Sequence, residues 1–361
     1  MSDRFETPVV VILFNRPERI RALVAALRPI RPPRIFAIAD GPRKSHPRDH
    51  DACRLARAAL DEIDWPCAIE REFAETNLGC DPRTMSGLDW AFRRIDRAVI
   101  LEDDLLPHPS FLPWAARALE RFDDDPELAM VSGRNPLGCW GDGPVDHVRA
   151  RRGSVWGWAT TASAWRETNA VDLRGDPADA RRDLAKLSLD PLVAEYHAIA
   201  LESYRLGTLR PWDMTWSLRM AFRGAAAIVS SVNLVHNAGF GPEATHTLNP
   251  QDFTVLVPAG EPRTPVAHAP PRADSAFDRA ALLVQLLARC VDPEMAWRLA
   301  RLTRRGAQIP LNAAARLYLA PFAVPADSLA VLEHLARQGV TSPTFDRLLR
   351  TMQEITARGS T

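Results

Sequence analysis

Val99-Ile100-Leu101-Glu102-Asp103-Asp104-Leu105-Leu106 opens as an apolar, β-branched run and then sets down three carboxylates in a row. The run reads as a buried strand. Adjacent acids repel one another and are costly to gather unless a cation sits among them. Hard carboxylate oxygens suit Mg²⁺ or Mn²⁺, and Mg²⁺ is typically held by one or two carboxylates plus a substrate's phosphates rather than by a closed protein cage. The competing reading is a strand that surfaces into a solvated acidic loop.

The sequence on either side of this run bears on that choice. Residues 9–14 are an unbroken apolar run, stopped by Asn15-Arg16-Pro17, and Ile20, Leu23, Val24 and Leu27 follow at helical spacing. A second apolar run at 35–39 closes on Asp40-Gly41-Pro42. Helices are expected over 52–64 and 84–94, with a third strand at 67–73 between them. Strands alternating with helices at short intervals argue for a mainly parallel sheet covered by helices on both faces. Ligands on such sheets sit beyond the carboxyl ends of the strands. Asn15, Asp40 and Glu102-Asp103-Asp104 all fall at such ends, so the topology lets them share one crevice.

Further on, an amphipathic helix is expected over 111–122, a strand over 128–132 and a long irregular loop over 135–152. Ser154-Val155-Trp156-Gly157-Trp158-Ala159-Thr160-Thr161 comes next, followed by Trp165. Tryptophans usually serve cores, but an indole face also suits stacking on the C–H face of a sugar ring. After a charged helical stretch at 177–209, Pro211-Trp212-Asp213-Met214-Thr215-Trp216 puts an acid between two indoles at a helix start. Such an acid can equally be a cap. A strand over 226–235 leads into a Gly-rich polar loop over 236–247.

Composition shifts at Val257. Five prolines between Pro258 and Pro271 mark a linker or surface strap. Helix-like segments rich in Ala, Leu and Arg then fill the rest. The organisation expected is therefore 1–256 as the α/β domain that carries these motifs, 257–272 as the strap and 273–361 as a helical appendage serving packing. Arg301, Arg304 and Arg305 read as a solvated helix face, with an acidic partner or lipid head groups as the alternative.

Across 361 residues, 45 Lys plus Arg balance 45 Asp plus Glu, so no global field argues for nucleic acid or an anionic membrane. Cys53, Cys67, Cys80, Cys139 and Cys290 lack metal-like spacing, and their odd number argues against a disulfide framework. No run reaches the ~18 apolar residues of a membrane span, and Met1-Ser2-Asp3-Arg4-Phe5-Glu6 has no leader-like pattern. A cytoplasmic protein is expected, with peripheral contact at the inner membrane left open along with the oligomeric state.

Taken together, the Glu102-Asp103-Asp104 signature, the apolar opening strand, Asp40, Trp156-Gly157-Trp158-Ala159-Thr160, and the stretch from Asn233 through Gly239-Phe240-Gly241 to Thr245-His246-Thr247 resemble nucleotide-diphospho-sugar glycosyltransferases of the GT-A fold. More narrowly they resemble bacterial haemolysin-like sugar transferases whose Glu-Asp-Asp motif is similar to that of the N-acetylglucosaminyltransferase I group. The resemblance covers roughly residues 9–247. It implies a Rossmann-like α/β domain with Asn15 and Arg16 bordering the nucleotide and Asp40 facing the base or ribose. Glu102 and Asp103 would serve the ribose or support the metal, and Trp158 would meet the nucleotide sugar. Asp104 is the implied direct ligand of Mn²⁺ or Mg²⁺, with His246 offered to the metal or diphosphate. Asp213 falls where inverting members keep a general base, although those more often read Glu-Asp and here Trp212 precedes it.

The expected function is thus a metal-dependent, inverting hexosyl- or N-acetylhexosaminyltransferase. It would move a sugar from a nucleoside diphosphate, UDP by default, to a hydroxyl of a glycan, a lipid-linked or a small-molecule acceptor, as in surface polysaccharide or glycoconjugate synthesis. Two alternatives stand beside it. A sugar nucleotidyltransferase would want a Gly-rich, basic loop after the first strand, which Asn15-Arg16-Pro17-Glu18 is not. A degenerate domain serving as a glycan-binding or scaffolding module would be marked by loss of the acidic motif or the late acid, and both are present. Fold alone cannot separate these chemistries.

Overall fold

A computed structural model describes residues 5–141, 143–174, 182–184, 186–187, 190–208, 211–239, 252–263, 272–290, 292–304, 311 and 313–359. The first half alternates as expected: β1 (Val9–Leu13), α1 (Pro17–Leu27), β2 (Arg34–Ala39), α2 (Asp49–Ala58), β3 (Ala68–Phe73), α3 (Cys80–Phe92) and β4 (Arg97–Glu102). These four strands pair in parallel in the order β3-β2-β1-β4. β1, β2 and β4 read as continuous apolar runs because a parallel strand is buried on both faces. Edge strand β3 instead carries Glu70, Arg71 and Glu72 and stays half-exposed, which discourages pairing with another chain.

Side chains alternate across this sheet and feed two cores. Val9, Val11, Ile35, Val99 and Leu101 pack with Ile20 and Leu23 of α1 and with Phe111 and Trp114 of α4 (Phe111–Leu119). Val10, Phe36 and Ile100 point the other way, into a cluster that runs on through Trp158 and Trp165 to Phe277, Leu283, Leu332 and Phe345. The C-terminal helices therefore cover the second face of the sheet. They are α8 (Ser275–Leu287), α9 (Pro293–Arg304), α10 (Ala313–Ala323), α11 (Pro325–Arg337) and α12 (Pro343–Gly359), close to where the Ala- and Leu-rich segments predict them.

The second half of the sheet departs from expectation in three places. β8 (Trp158–Thr161) lies between β4 and β6 (Leu128–Ser132), antiparallel to both, where only a tryptophan motif is recognisable in the sequence. β7 (His147–Ala150) falls inside the expected loop and pairs antiparallel with β9 (Ala226–Ser230). Its four residues, His147-Val148-Arg149-Ala150, alternate too briefly to stand out as a strand, and the polar ones are buried by their partners: Arg149 binds Asp125 and Glu127, and His147 Nδ1 lies 2.6 Å from Asp146 Oδ1. The single strand expected over 226–235 breaks after Ser230, and β10 (Val235–Asn237) leaves to pair antiparallel with β5 (Leu105–Pro107). The remaining helices are α5 (Ala162–Asn169), α6 (Pro191–Arg205), capped by Asp190, and α7 (Trp212–Arg223).

The result is a mixed α/β architecture, a mostly parallel eight-stranded sheet flanked by helices with a helical C-terminal part, as the sequence predicts. Among the described residues no single helix is long and apolar enough to cross a membrane.

Candidate active site

At the carboxyl end of β4 the backbone turns out of the sheet, and β5 starts after two intervening residues, Asp103 and Asp104. Asp103 turns inward and is almost fully buried. The backbone N–H of Phe14, at the end of β1, donates to its Oδ2 at 3.2 Å. Arg16 Nη2 donates to Asp103 Oδ1 and, at 3.1 Å, to Asp104 Oδ2. One guanidinium thus serves two carboxylates, and the β1–α1 loop is tied to the acidic motif.

The other wall at this point is Gly239. A Cβ there would fall on Asp104 Oδ2, well inside van der Waals contact. Pairing of β10 with β5 brings the glycine to this position, with Asn237 facing Leu105. The Ala238 N–H donates to the Asp104 carbonyl at 2.8 Å, and Asn237 Oδ1 accepts from the Gly239 N–H at 2.7 Å. The beginning of the late glycine-rich block is therefore folded onto the acidic motif.

Asn15 and Asp40 are engaged elsewhere in the protein. Asn15 Nδ2 donates to Asp49 Oδ1 at 2.9 Å, beside the Arg43 guanidinium on the same carboxylate. Asp40 accepts from the backbone N–H groups of Gly41, Leu78 and Gly79 and from Asn77 Nδ2, all between 2.8 and 3.0 Å. The Asp40 carboxylate fixes the turn before α3, so any contact with a base or ribose would have to be made around a saturated group. Trp158 is 1% exposed and packs against Trp165, Trp212 and Trp216, with centroids 5.8 to 6.2 Å away. Of the two indoles in the Trp-Gly-Trp motif, Trp156 lines a cavity, with the Arg134 guanidinium 5.5 Å from its ring centroid. Gly157, at φ +68°, separates the two indoles and leaves no room for a Cβ against Val235. His246, with the rest of 240–251, lies outside the described residues.

Asp213 sits in the first turn of α7, where the Trp212 N–H donates to Asp81 Oδ1 at 2.9 Å and ties this helix start to that of α3. Its carboxyl lines a cavity of about 350 Å³ whose other walls include Trp156, Tyr196, Phe277, Gln285 and several arginines. Burial holds Asp213 above the ordinary carboxylate range, opposed by backbone N–H donors and reinforced by Asp81. Glu102 is likewise held high, first by burial and then by the charges of Asp104, Asp103 and Asp213, so Asp213 and the acidic motif lie within electrostatic reach of one another. Asp103 is raised by burial against the opposing pull of Arg16.

Among the described residues no three His, Cys, Asp or Glu side chains close around a point as a complete metal cage would. An open Mg²⁺- or Mn²⁺-type site does not need one. The donor set is made of hard oxygens, three adjacent carboxylates with Arg16 donating to two of them, and Glu102 is raised by burial first and then by its acidic neighbours. Those residues fit a divalent cation that brings its remaining ligands with a phosphate substrate.

Three features have no clear sequence signal: Gly239 against Asp104, the Asp81 link to α7, and the arginine-lined cavity. All depend on contacts between segments far apart in the chain.

No known family profile matches this chain, and no curated protein matches it. Among solved structures, the mannosyltransferase PcManGT from Pyrobaculum calidifontis, solved with GDP-Man and Mn²⁺, is similar at 15% identity and TM-score 0.39 over 99% of this chain and 81% of that one. A Bacillus anthracis protein described as a glucose-1-phosphate thymidylyltransferase, solved with sucrose, is similar at 13% identity and TM-score 0.33 over 70% of this chain and 94% of that one. At such values the activity of this chain has to be argued from its own residues.

Proposed function

We propose that the chain is a metal-dependent, inverting glycosyltransferase that moves a sugar from a nucleoside diphosphate to an acceptor hydroxyl in glycan or glycoconjugate assembly. The observation that carries this reading is the placement of Asp213, a half-buried acid on a cavity wall, within electrostatic reach of the Glu102-Asp103-Asp104 cluster at the end of β4. Donor and metal chemistry belong to residues 1–256 in this scheme, with 257–272 as the strap, while the helices of 273–361 close the acceptor side through α8.

Asp104 is the direct metal ligand in this proposal, supported by Glu102 and Asp103, and His246 is a further candidate. When bound, a divalent cation stabilises the charge that builds on the departing diphosphate, without a proton transfer to it. Arg16, already between Asp103 and Asp104, orients those carboxylates and adds positive charge at the same end of the sheet. Asp213 accepts the proton of the acceptor hydroxyl as its oxygen bonds to the anomeric carbon. The bond from that carbon to the diphosphate oxygen breaks, and the nucleoside diphosphate leaves with the electron pair. Attack from the opposite face inverts the anomeric centre. A positioned carboxylate base contributes typically ~10² to 10⁴-fold, and the raised Asp213 brings its basicity closer to neutral pH.

The test is thermal stability against UDP-, GDP- and dTDP-sugars and the free diphosphates, with and without Mn²⁺. A ligand at about 100 times its dissociation constant adds ~2.7 kcal/mol to the folded state. A Mn²⁺-dependent rise with one nucleotide family, lost in Asp104→Ala, is the expected result. Folded protein that responds to no donor would overturn the proposal and leave a glycan-binding module as the reading to pursue.

A further inference from the structure

Four arginines, Arg134, Arg151, Arg152 and Arg289, line the same cavity as Asp213, and the acids on its wall are Asp213 itself and Asp252. None of Glu102, Asp103 or Asp104 lines it, so this positive wall is distinct from the end where a donor diphosphate would sit. The floor beneath it is apolar, built from Met130, Val229, Trp216, Met220, Phe277 and Val284.

Two of these cations, Arg152 and Arg134, make their side-chain hydrogen bonds to uncharged partners. Arg152 donates to Gln285 Oε1 at 2.7 Å, approaches His197 Nε2 at 3.4 Å and lies 4.7 Å from the Tyr196 ring centroid, all uncharged partners. His197 is uncharged because burial, reinforced by the Arg152 charge, pushes it down to about 3. The carboxylate whose charge Arg152 feels, Asp278, already accepts the backbone N–H groups of Arg151 and Arg152. Arg134 is 3% exposed and donates to the Thr254 carbonyl; burial depresses it to about 10, with the Asp252 charge opposing. Arg151 donates to the Gly224 carbonyl and pairs with Glu127 at 3.6 Å, while its Nε is buried without a hydrogen-bond partner. Burying cations costs free energy unless charge or hydrogen bonding compensates, and guanidinium forks match phosphate and carboxylate oxygens.

We infer that the cavity takes an acceptor bearing an anionic group, a sugar phosphate or a sugar acid, with the arginine wall on the anion and Asp213 on the hydroxyl. The inference rests on the transferase reading for the word acceptor, but the anion preference of the cavity stands on the arginines alone. A cavity of about 350 Å³ lies at the small end of the roughly 300–1,000 Å³ typical of ligand pockets, which suits a sugar of one or two rings.

The test is calorimetric titration of the full chain in EDTA with glucose 6-phosphate, glucuronate and glucose. One charged sugar should bind at least about 10-fold more tightly than glucose, and which one it is names the anion. Arg152→Gln should weaken that binding about 10-fold or more, Arg152→Lys less, and Asp104→Ala not at all. Arg289→Gln, at an exposed position and so safe for folding, should weaken it and flatten its salt dependence. Equal affinity for glucose, no millimolar binding of either charged sugar, or binding indifferent to both arginines would overturn the inference. The two readings fail separately: without a Mn²⁺-dependent donor response the transferase proposal falls while the anion preference stands, and the converse result removes only the anionic acceptor.

Discussion

Two single residues test how the site end of the sheet is held. Gly239 has no side chain where any Cβ would displace the Asp104 carboxylate. Gly239→Ala should therefore weaken Mn²⁺-dependent donor binding by roughly 10- to 100-fold, the usual scale for disturbing a metal ligand's support, while the melting temperature of the free protein changes little. Full donor affinity in that variant would remove Asp104 from the metal site. Asp49 tests the neighbouring loop. Its 5%-exposed carboxylate accepts from Arg43 and Asn15, and those hydrogen bonds, Arg43 first, lower it to about 2. A folded-state pKa below the unfolded one stabilises the protein fully above about pH 4 to 5, and the gain fades as pH falls toward the folded value. Asp49→Asn should thus cost roughly 2 kcal/mol at pH 7 and clearly less at pH 3, read as the difference in urea midpoints. A cost independent of pH would show that the carboxylate charge is not what holds this loop.

At the scale of elements, α7 carries Asp213 in its first turn and stops at Gly224, whose φ of +68° is a left-handed cap. The Gly224 and Ala225 N–H groups return to the Ala221 and Met220 carbonyls, closing the helix end. Gly224→Ala should cost about 1 kcal/mol and lower the melting temperature, leaving turnover at permissive temperature intact because Asp213 is three turns away. Asp213→Asn should do the opposite, sparing stability and donor binding while turnover falls by about 10² to 10⁴-fold. Normal turnover would remove the residue from the base role.

Legibility at this scale followed burial. β1, β2 and β4 are apolar on both faces and were readable as strands, and α1 announced itself by Pro17 and the Ile20, Leu23, Val24, Leu27 stripe. β7 was not, because it is only four residues long and its Arg149 and His147 are buried against acidic partners that a one-dimensional pattern cannot show. Of the site, the acidic motif and Asp213 were visible as isolated acids in revealing places. The saturation of Asp40 and the burial of Trp158 depend on what other segments bring to them.

Over the whole molecule, the question is whether the helices beyond the strap are a removable appendage. The core on one face of the sheet runs without a break from Val10, Phe36 and Ile100 to Phe277, Leu283, Leu332 and Phe345. α8 also supplies Phe277, Ala281, Val284 and Gln285, and the turn after it Arg289, to the cavity that Asp213 lines. Ion pairs cross the same boundary, with Arg279 of α8 on Asp190 at 3.1 Å and Arg316 of α10 on Glu202. Each large apolar side chain removed from such a core costs roughly 2–5 kcal/mol, against a total stability of ~5–15 kcal/mol for a typical domain. A chain ending at residue 272 should consequently lose cooperative unfolding and its near-ultraviolet circular dichroism, and should bind a hydrophobic dye. Single-transition unfolding of the intact protein, by heat and by urea with coincident probes, is the matching expectation. A truncated chain that melts cooperatively near the temperature of the intact one would show that residues 1–272 fold alone, and that the helical region serves the cavity rather than the core.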